Sequence, residues 1–120
     1  MNIFPQEEFW GNIEYKMGFI DINDVKIKKY ATQLKFRIIE GKGEAVYIIG
    51  VYDNGQIIGI SDYKINYHKK IMNSICNEVN CKLEKTIILE CPGSEHINKK
   101  LIIFKIKSNF DMDEIPFLWG

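Results

Sequence analysis

The sequence lacks the features of a membrane protein, a secreted protein and a disulfide-stabilised protein. It has no run of about 18 apolar residues, which a membrane-spanning helix needs. It opens with MNIFPQEEFW, which has neither the charged region nor the small-residue cleavage site of a secretory signal. Its three cysteines, Cys76, Cys81 and Cys91, form no closely spaced pair and match no common zinc site. We therefore expect a cytoplasmic protein with reduced thiols and no bound metal.

Residues suited to acid–base catalysis are scarce as well. There are two histidines, and one of them, His68, falls on an apolar helical stripe where a core or boundary position is expected. No nucleophile has a base at a spacing that indicates a catalytic pair. We expect no enzymatic activity, no cofactor and no small-molecule substrate.

The composition that is present suits one globular domain. The chain has 120 residues, of which 46% are apolar and 27% are charged. Lys and Arg total 16, as do Asp and Glu, so the formal net charge is zero. Acidic residues gather at the two ends, however, and lysines fill the middle. A basic body of this kind is able to bind a polyanion, although many lysine runs are simply solvated.

The hydrophobic periodicities predict the element order β-α-β-β-α-β-β. Helical spacing predicts one helix after the sequence DIND, which offers Asp21 or Asn23 as its N-cap, and a second across residues 65–79, capped by Ser61. The predicted strands cover residues 12–19, 45–52, 57–60, 83–91 and 101–106, and an Asp-Asn-Gly turn joins the second to the third. The pattern indicates a ferredoxin-like α+β domain at residues 11–107, with an antiparallel sheet and both helices on one face. Extended tails are expected at residues 1–10 and 108–120.

The glycine-containing stretch EGKGEAVYIIG at residues 40–50 raises the question of a phosphate-binding loop. A Walker loop runs from a strand into a helix and carries Ser or Thr directly after its lysine. Here Gly41-Lys42-Gly43 leaves a helix and enters a strand, and no Ser or Thr follows Lys42. We interpret Gly41 as the left-handed residue that ends the first helix, and expect no nucleotide site.

Three stretches carry a resemblance to a known family. They are GNIEYK at residues 11–16, TQLKFRIIEGKGEAVYIIGVYDNG at residues 32–55 and IGI at residues 58–60. These stretches are similar to the amino-terminal domain of the eukaryotic GTP-binding protein 1 and 2 family of translational GTPases. The similarity runs from Gly11 to about Lys85, and the GTPase module is absent. A free-standing copy of this domain resembles the small ribosome dormancy factor of the microsporidian type.

The resemblance implies a non-enzymatic ribosome hibernation factor. Such a protein occupies the tRNA exit site (E site) between the subunits of idle ribosomes, contacts rRNA and ribosomal proteins there, and blocks tRNA binding. Two other interpretations stay open: a protein-only regulator of a translational GTPase, and a general RNA-binding module. The RNA-binding module favours paired aromatic rings on an open sheet face. Tyr47 and Tyr52 instead fall on opposite faces of their strand.

We expect the ribosome contacts to lie on lysine-rich surfaces. Along the first helix and just beyond it, the side chains predicted to face away from the apolar stripe are Lys26, Lys29, Gln33, Arg37 and Lys42. Lys99 and Lys100 form a second candidate patch. Such residues neutralise rRNA phosphates without reading sequence.

Aromatic residues near the two ends form a third group of candidates. Phe117 and Trp119 either pack on their own domain or become ordered in a ribosomal groove, where aromatic rings stack on bases. The same choice applies to Phe4, Phe9 and Trp10, for which packing on the domain is favoured.

Overall fold

The computed structural model describes residues 4–111, apart from the side chain of Ser94. The helices are α1 (Asp24–Glu40) and α2 (Ile65–Glu78), and the strands are β1 (Ile13–Lys16), β2 (Glu44–Ile49), β3 (Ile60–Ser61), β4 (Cys81–Glu90) and β5 (Lys99–Ser108). These elements follow the predicted order. Within the described range, no helix is both long enough and apolar enough to cross a membrane.

The predicted ferredoxin-like α+β class is confirmed, and the five-stranded sheet is mixed. β1 lies parallel to β2, because α1 returns the chain to the end of the sheet at which β1 began. β2 and β4 pair antiparallel with opposite edges of β5, and the two residues of β3 pair with β5 beyond the end of β2. The expectation of a wholly antiparallel sheet is therefore wrong for β1 and correct for the other strands.

The two helices begin in different ways. The side chain of Asn23, one of the two N-cap candidates for α1, accepts a hydrogen bond from the backbone N–H of Lys26. Ser61 was expected to cap α2, but a short 3₁₀ turn, Asp62–Lys64, intervenes, and α2 begins at Ile65 without a side-chain cap. The second helix is therefore held by packing of its apolar stripe rather than by its first turn.

Both helices cover the same face of the sheet. The core there is built from Ala31, Leu34 and Ile38 of α1, from Met72, Ile75 and Cys76 of α2, and from Ala45, Tyr47, Ile49, Ile102, Phe104 and Ile106 of the sheet. Burial raises the pKa of the Cys76 thiol to about 12 and that of Cys81 to about 11. These two cysteines are free, and they act as small apolar side chains.

The opposite face of the sheet is covered over only part of its width. Residues 4–10, predicted as a tail, lie against the domain, and the ring of Phe4 packs 6.1 Å from that of Tyr15. The Tyr15 hydroxyl also donates to the carbonyl of Pro5. Further across the sheet, side chains of β4 such as Lys85 and Leu89 are exposed to solvent. Among the described residues 4–111, nothing covers these exposed β4 side chains.

Candidate nucleic-acid interface

Arg37, predicted to project from α1 into solvent, is buried, with 4% of its surface exposed. Its Nε donates to the Glu14 carboxylate at 3.0 Å. Its two terminal nitrogens donate to four consecutive backbone carbonyls, those of residues 8–11, at 2.9 to 3.4 Å. We call this arrangement the Arg37 clamp. A buried guanidinium whose three nitrogens all donate within the domain is not available to an RNA phosphate, so the predicted exposure of Arg37 is wrong.

The helical projection placed Arg37 on the wrong side for a simple reason. It lies about 60° around α1 from Leu34, at the margin of the buried stripe. The N-terminal segment packs over that margin and closes it off from water, with Glu8 and Gly11 accepting hydrogen bonds there. Contacts between residues this far apart in sequence leave no periodic signal, so the pattern alone could not show the burial.

Two carboxyl groups lie beside the buried guanidinium. Glu14 forms the close ion pair with Arg37, and a Glu7 oxygen lies 3.9 Å from its Nη2. Glu7 also accepts a hydrogen bond from the backbone N–H of Tyr15. Burial raises the pKa of the Glu7 carboxyl to about 7; the Tyr15 N–H opposes this shift, and the neighbouring Glu14 charge adds to it. One proton is thus held close to the clamp near neutral pH.

Two more of the predicted contacts on α1 are engaged within the domain. The Lys26 ammonium donates to the carbonyl of Ile20 at 3.0 Å. Gln33 accepts a 2.6 Å hydrogen bond from Lys16, whose ammonium also lies 4.8 Å from the centre of the Tyr30 ring. Both side chains therefore help to hold the segment around β1 against α1.

The second predicted patch is engaged as well. The Lys100 ammonium lies 2.8 Å from a Glu90 oxygen and 3.6 Å from Asp62. The hydrogen bond that Lys100 donates to Glu90 raises the pKa of Lys100. Lys99 donates to the Ser61 hydroxyl at 3.2 Å. An RNA phosphate would have to displace these partners, so the patch is less available than its sequence suggested.

Lys29 and Lys42 keep the environment that the sequence predicted. Both side chains are exposed, Lys29 on α1 and Lys42 in the turn that follows it. Neither ammonium forms an ion pair or a side-chain hydrogen bond with any residue in the range 4–111. These two lysines are the members of the predicted α1 surface that stay available to a polyanion.

The glycine turn that holds Lys42 is used entirely to end α1. The backbone N–H groups of Gly41, Lys42 and Gly43 donate to the carbonyls of residues 37, 39 and 38 at 2.9 to 3.2 Å. The left-handed residues are Lys42 and Gly43, with φ of 54° and 105°, rather than Gly41 as predicted. Gly41 is needed for space, because a Cβ there would lie 1.8 Å from the carbonyl oxygen of Glu44. The turn has no N–H group left to hold a phosphate.

Three aromatic rings form an exposed cluster beside the clamp. Phe9 is 75% exposed and Trp10 is 66% exposed, so the expected packing on the domain holds for Phe4 and not for these two. Their rings contact each other at 5.0 Å, and each lies 6.2 Å from the ring of Phe36. Phe117 and Trp119 lie outside the described residues. The sequence analysis missed Phe36, for which the single signal was an aromatic residue away from the apolar stripe of α1.

Four lysines that sequence analysis did not select share the exposed face of the sheet. Lys82 pairs directly with Lys107, and Lys85 pairs with Lys105. We call these four residues the lysine ladder. Positions 82 and 85 would face opposite ways in a regular strand, but a β-bulge between Leu83 and Lys85 restores both to one face. The bulge is a feature of the fold, so sequence alternation could not reveal the ladder.

His68 occupies the core position that the sequence predicted. The Phe19 N–H donates to its Nε2 at 3.0 Å, and its Nδ1 lies 2.8 Å from the carbonyl of Lys64, which fixes the neutral tautomer with the proton on Nδ1. Burial lowers the pKa of His68. In the part of the chain that the structure describes, no three His, Cys, Asp or Glu side chains are grouped to hold a metal ion.

Comparison with known proteins supports part of the expected resemblance. The chain is 35% identical over 112 residues to an uncharacterized protein, R625, of Acanthamoeba polyphaga mimivirus. The aligned region covers 92% of this chain and 60% of that protein. It is also 35% identical over 79 residues to GTP-binding protein 2 of mouse and of human, which covers 66% of this chain and 13% of each relative. The chain therefore spans less than two thirds of the length of these relatives.

No protein-family model matches the chain, and no solved structure matches it. The resemblance to the GTP-binding protein 1 and 2 family is confirmed as similarity between a 79-residue stretch and a part of GTP-binding protein 2.

Replacing Arg37 with methionine should lower the free energy of unfolding by about 3–5 kcal/mol, because the change leaves the buried Glu14 carboxylate and four carbonyls without their donor. Urea unfolding followed by circular dichroism measures this. The matched control is Lys28→Met on the exposed side of the same helix, for which we expect a change within about 0.5 kcal/mol. Equal unfolding midpoints for the two variants would contradict the clamp.

The pH dependence of stability should report the Glu7 proton. Because burial raises the folded-state pKa of Glu7 from 4.5 to about 7, the folded state holds a proton that the unfolded state has released in that range. Stability from this group is therefore complete below about pH 4.5 and is lost as the pH rises towards 7. We expect the Glu7→Gln substitution to change the free energy of unfolding more favourably at pH 8 than at pH 5, because the glutamine carries no charge at either pH. Parallel pH curves for wild type and variant would show that Glu7 titrates normally.

Proposed function

We propose that this chain is a non-enzymatic, cytoplasmic ribosome-binding factor that occupies the tRNA exit site between the subunits of idle ribosomes. In that position the body of the domain excludes tRNA and keeps the ribosome inactive. The similarity to part of GTP-binding protein 2 supports a role connected with translation, because the family that the chain resembles consists of translational GTPases. The proposed partners are rRNA and the ribosomal proteins around the exit site.

The observation that carries the proposal is the structure of the glycine turn. The name of the relative states that it binds GTP. In this chain, however, the turn that looks most like a phosphate loop donates its N–H groups to carbonyls at the end of α1. What it presents to solvent is the Lys42 side chain, with Lys29 exposed on the preceding helix. The surface thus offers mobile positive charge to a polyanion rather than an anchored set of donors to one nucleotide.

Binding by occupancy requires no chemical step from the chain. An ammonium group that replaces the counterions of an RNA phosphate contributes affinity that falls as salt rises, and it reads no sequence. A compact domain held this way inhibits by filling the site, and it leaves when the affinity is lowered or when tRNA competes. The stability of the domain matters here because a partly unfolded body would not exclude tRNA.

A protein-only regulator of a translational GTPase is the second candidate, and the exposed aromatic cluster favours it. Phe9, Trp10 and Phe36 form a group of rings that remains in water. Aromatic residues are enriched in the centres of protein–protein interfaces. A general RNA-binding module is less supported, because Tyr47 is fully buried on the helix-covered face and cannot stack on a base.

The purified protein should co-sediment with ribosomes at low ionic strength, and its affinity should fall steeply as salt is raised. If Lys29 and Lys42 each contact one phosphate, these two contacts alone give a slope of log affinity against log salt of about −1.4 to −1.8. Failure of the wild-type protein to sediment with ribosomes at low salt would end the proposal. Tight binding with a flat salt dependence would favour the protein-only regulator.

Reversing the two available charges in the variant Lys29→Glu with Lys42→Glu should weaken ribosome binding about tenfold or more and leave the melting temperature nearly unchanged, because both side chains are exposed. The matched control, Lys64→Glu with Lys70→Glu, changes the net charge equally at exposed positions on the α2 side. We expect the control to bind within about twofold of wild type. Equal losses in both variants would indicate only a general charge effect.

A further inference from the structure

The lysine ladder is an arrangement that does not stabilise the fold. Residues that face each other directly across neighbouring antiparallel strands have Cβ atoms about 5 Å apart, and like charges at such positions are destabilising. The ladder repeats this contact twice, at Lys82 with Lys107 and at Lys85 with Lys105. The two pairs are separated by two residues of β5, about 7 Å along the strand.

The described residues around the ladder do little to compensate its charge. On the other edge of β5, Glu44 faces Lys107, and Val46 faces Lys105. None of the four ladder ammonium groups forms an ion pair with a residue in the described range 4–111, and all four side chains are exposed. The exposed Glu84 at the bulge adds a second carboxylate beside Lys85. Two carboxylates therefore accompany four ammonium groups, and an external anion is the complementary partner for the excess positive charge.

We propose that the lysine ladder binds the phosphate backbone of RNA. This inference rests on the proposed function, under which that RNA is ribosomal and the ladder is a second contact surface, separate from Lys29 and Lys42. The ammonium of lysine is a point charge with three rotating donors, so each ladder side chain can meet a phosphate oxygen without a fixed geometry. Two rows of such charges on a flat face can follow a backbone that carries a charge at every nucleotide.

The composition of the surface favours RNA over an acidic protein surface. Protein–protein interfaces are enriched in aromatic residues and arginine and depleted in lysine. The ladder consists of lysine alone, and Tyr15, which lies on the same face of the sheet, is buried. Next to the ladder the face continues with Ile87 and Leu89, which offer no ring for a base to stack on. The surface therefore suits contacts to phosphate and not to bases.

The test is the variant Lys82→Glu with Lys85→Glu, in which each new carboxylate faces a lysine of β5. The probe is a labelled single-stranded poly(U) oligonucleotide, with binding followed by fluorescence anisotropy across a salt series. We expect the variant to lose all four phosphate contacts, so that the salt slope becomes shallower by about 3 and affinity at low salt falls more than about tenfold. We also expect its melting temperature to rise, because attraction replaces repulsion between the strands.

The control is again Lys64→Glu with Lys70→Glu, which should keep the wild-type salt slope for poly(U). An unchanged slope in the ladder variant would overturn the inference even if the wild-type protein binds ribosomes. Binding of the wild-type protein to phosphatidylserine vesicles without binding to poly(U) at the same salt would also overturn it. Ladder-dependent binding to poly(U) without co-sedimentation with ribosomes would support the RNA contact and overturn the proposed function instead.

Discussion

The guanidinium of Arg37 is the constraint on which the rest of this structure depends. A buried charge is tolerated only when a partner charge and hydrogen bonds replace water, and here Glu14 and four successive carbonyls do so. The N-terminal segment is folded onto the domain by that requirement. Its path then determines two other features: Phe9 and Trp10 project into water, and the Glu7 carboxyl is held beside Glu14.

The clamp also changes how the net charge should be interpreted. A formal charge of zero suggests a surface without preference for anions. Two of the carboxyl groups, Glu7 and Glu14, are used around one buried cation, and the pairing of Lys100 with Glu90 and Asp62 uses two more. Lys29, Lys42 and the four ladder lysines are exposed and form no ion pair with residues in the range 4–111. The effective surface is therefore more basic than the composition indicates, and its basic groups are concentrated on particular faces.

The parts of the fold that could be predicted are those set by neighbours in sequence. The apolar stripe of α2 and the place of His68 on it depend on residues within one or two helical turns, and the sequence predicted both. It also narrowed the cap of α1 to Asp21 or Asn23, and Asn23 forms it. The errors concern contacts between distant segments. Burial of Arg37 depends on residues 8–11, and the parallel pairing of β1 depends on where α1 returns the chain. The candidate site was harder to predict, because a partner as far as 38 residues away, as for Lys99 and Ser61, decides whether a lysine is available to an external anion.

The two faces of the sheet at β5 have different roles. On the face covered by helices, β5 contributes Ile102, Phe104 and Ile106 to the core, and the strand is fixed by that burial. Since burial on one face determines the register, the other face can carry Lys105 and Lys107 opposite further lysines at a small cost in stability. The bulge at Glu84 then adds Lys82 and Lys85 to the same surface. Strong packing on one side thus permits a repulsive arrangement on the other, and such an arrangement is favourable when a polyanion covers it.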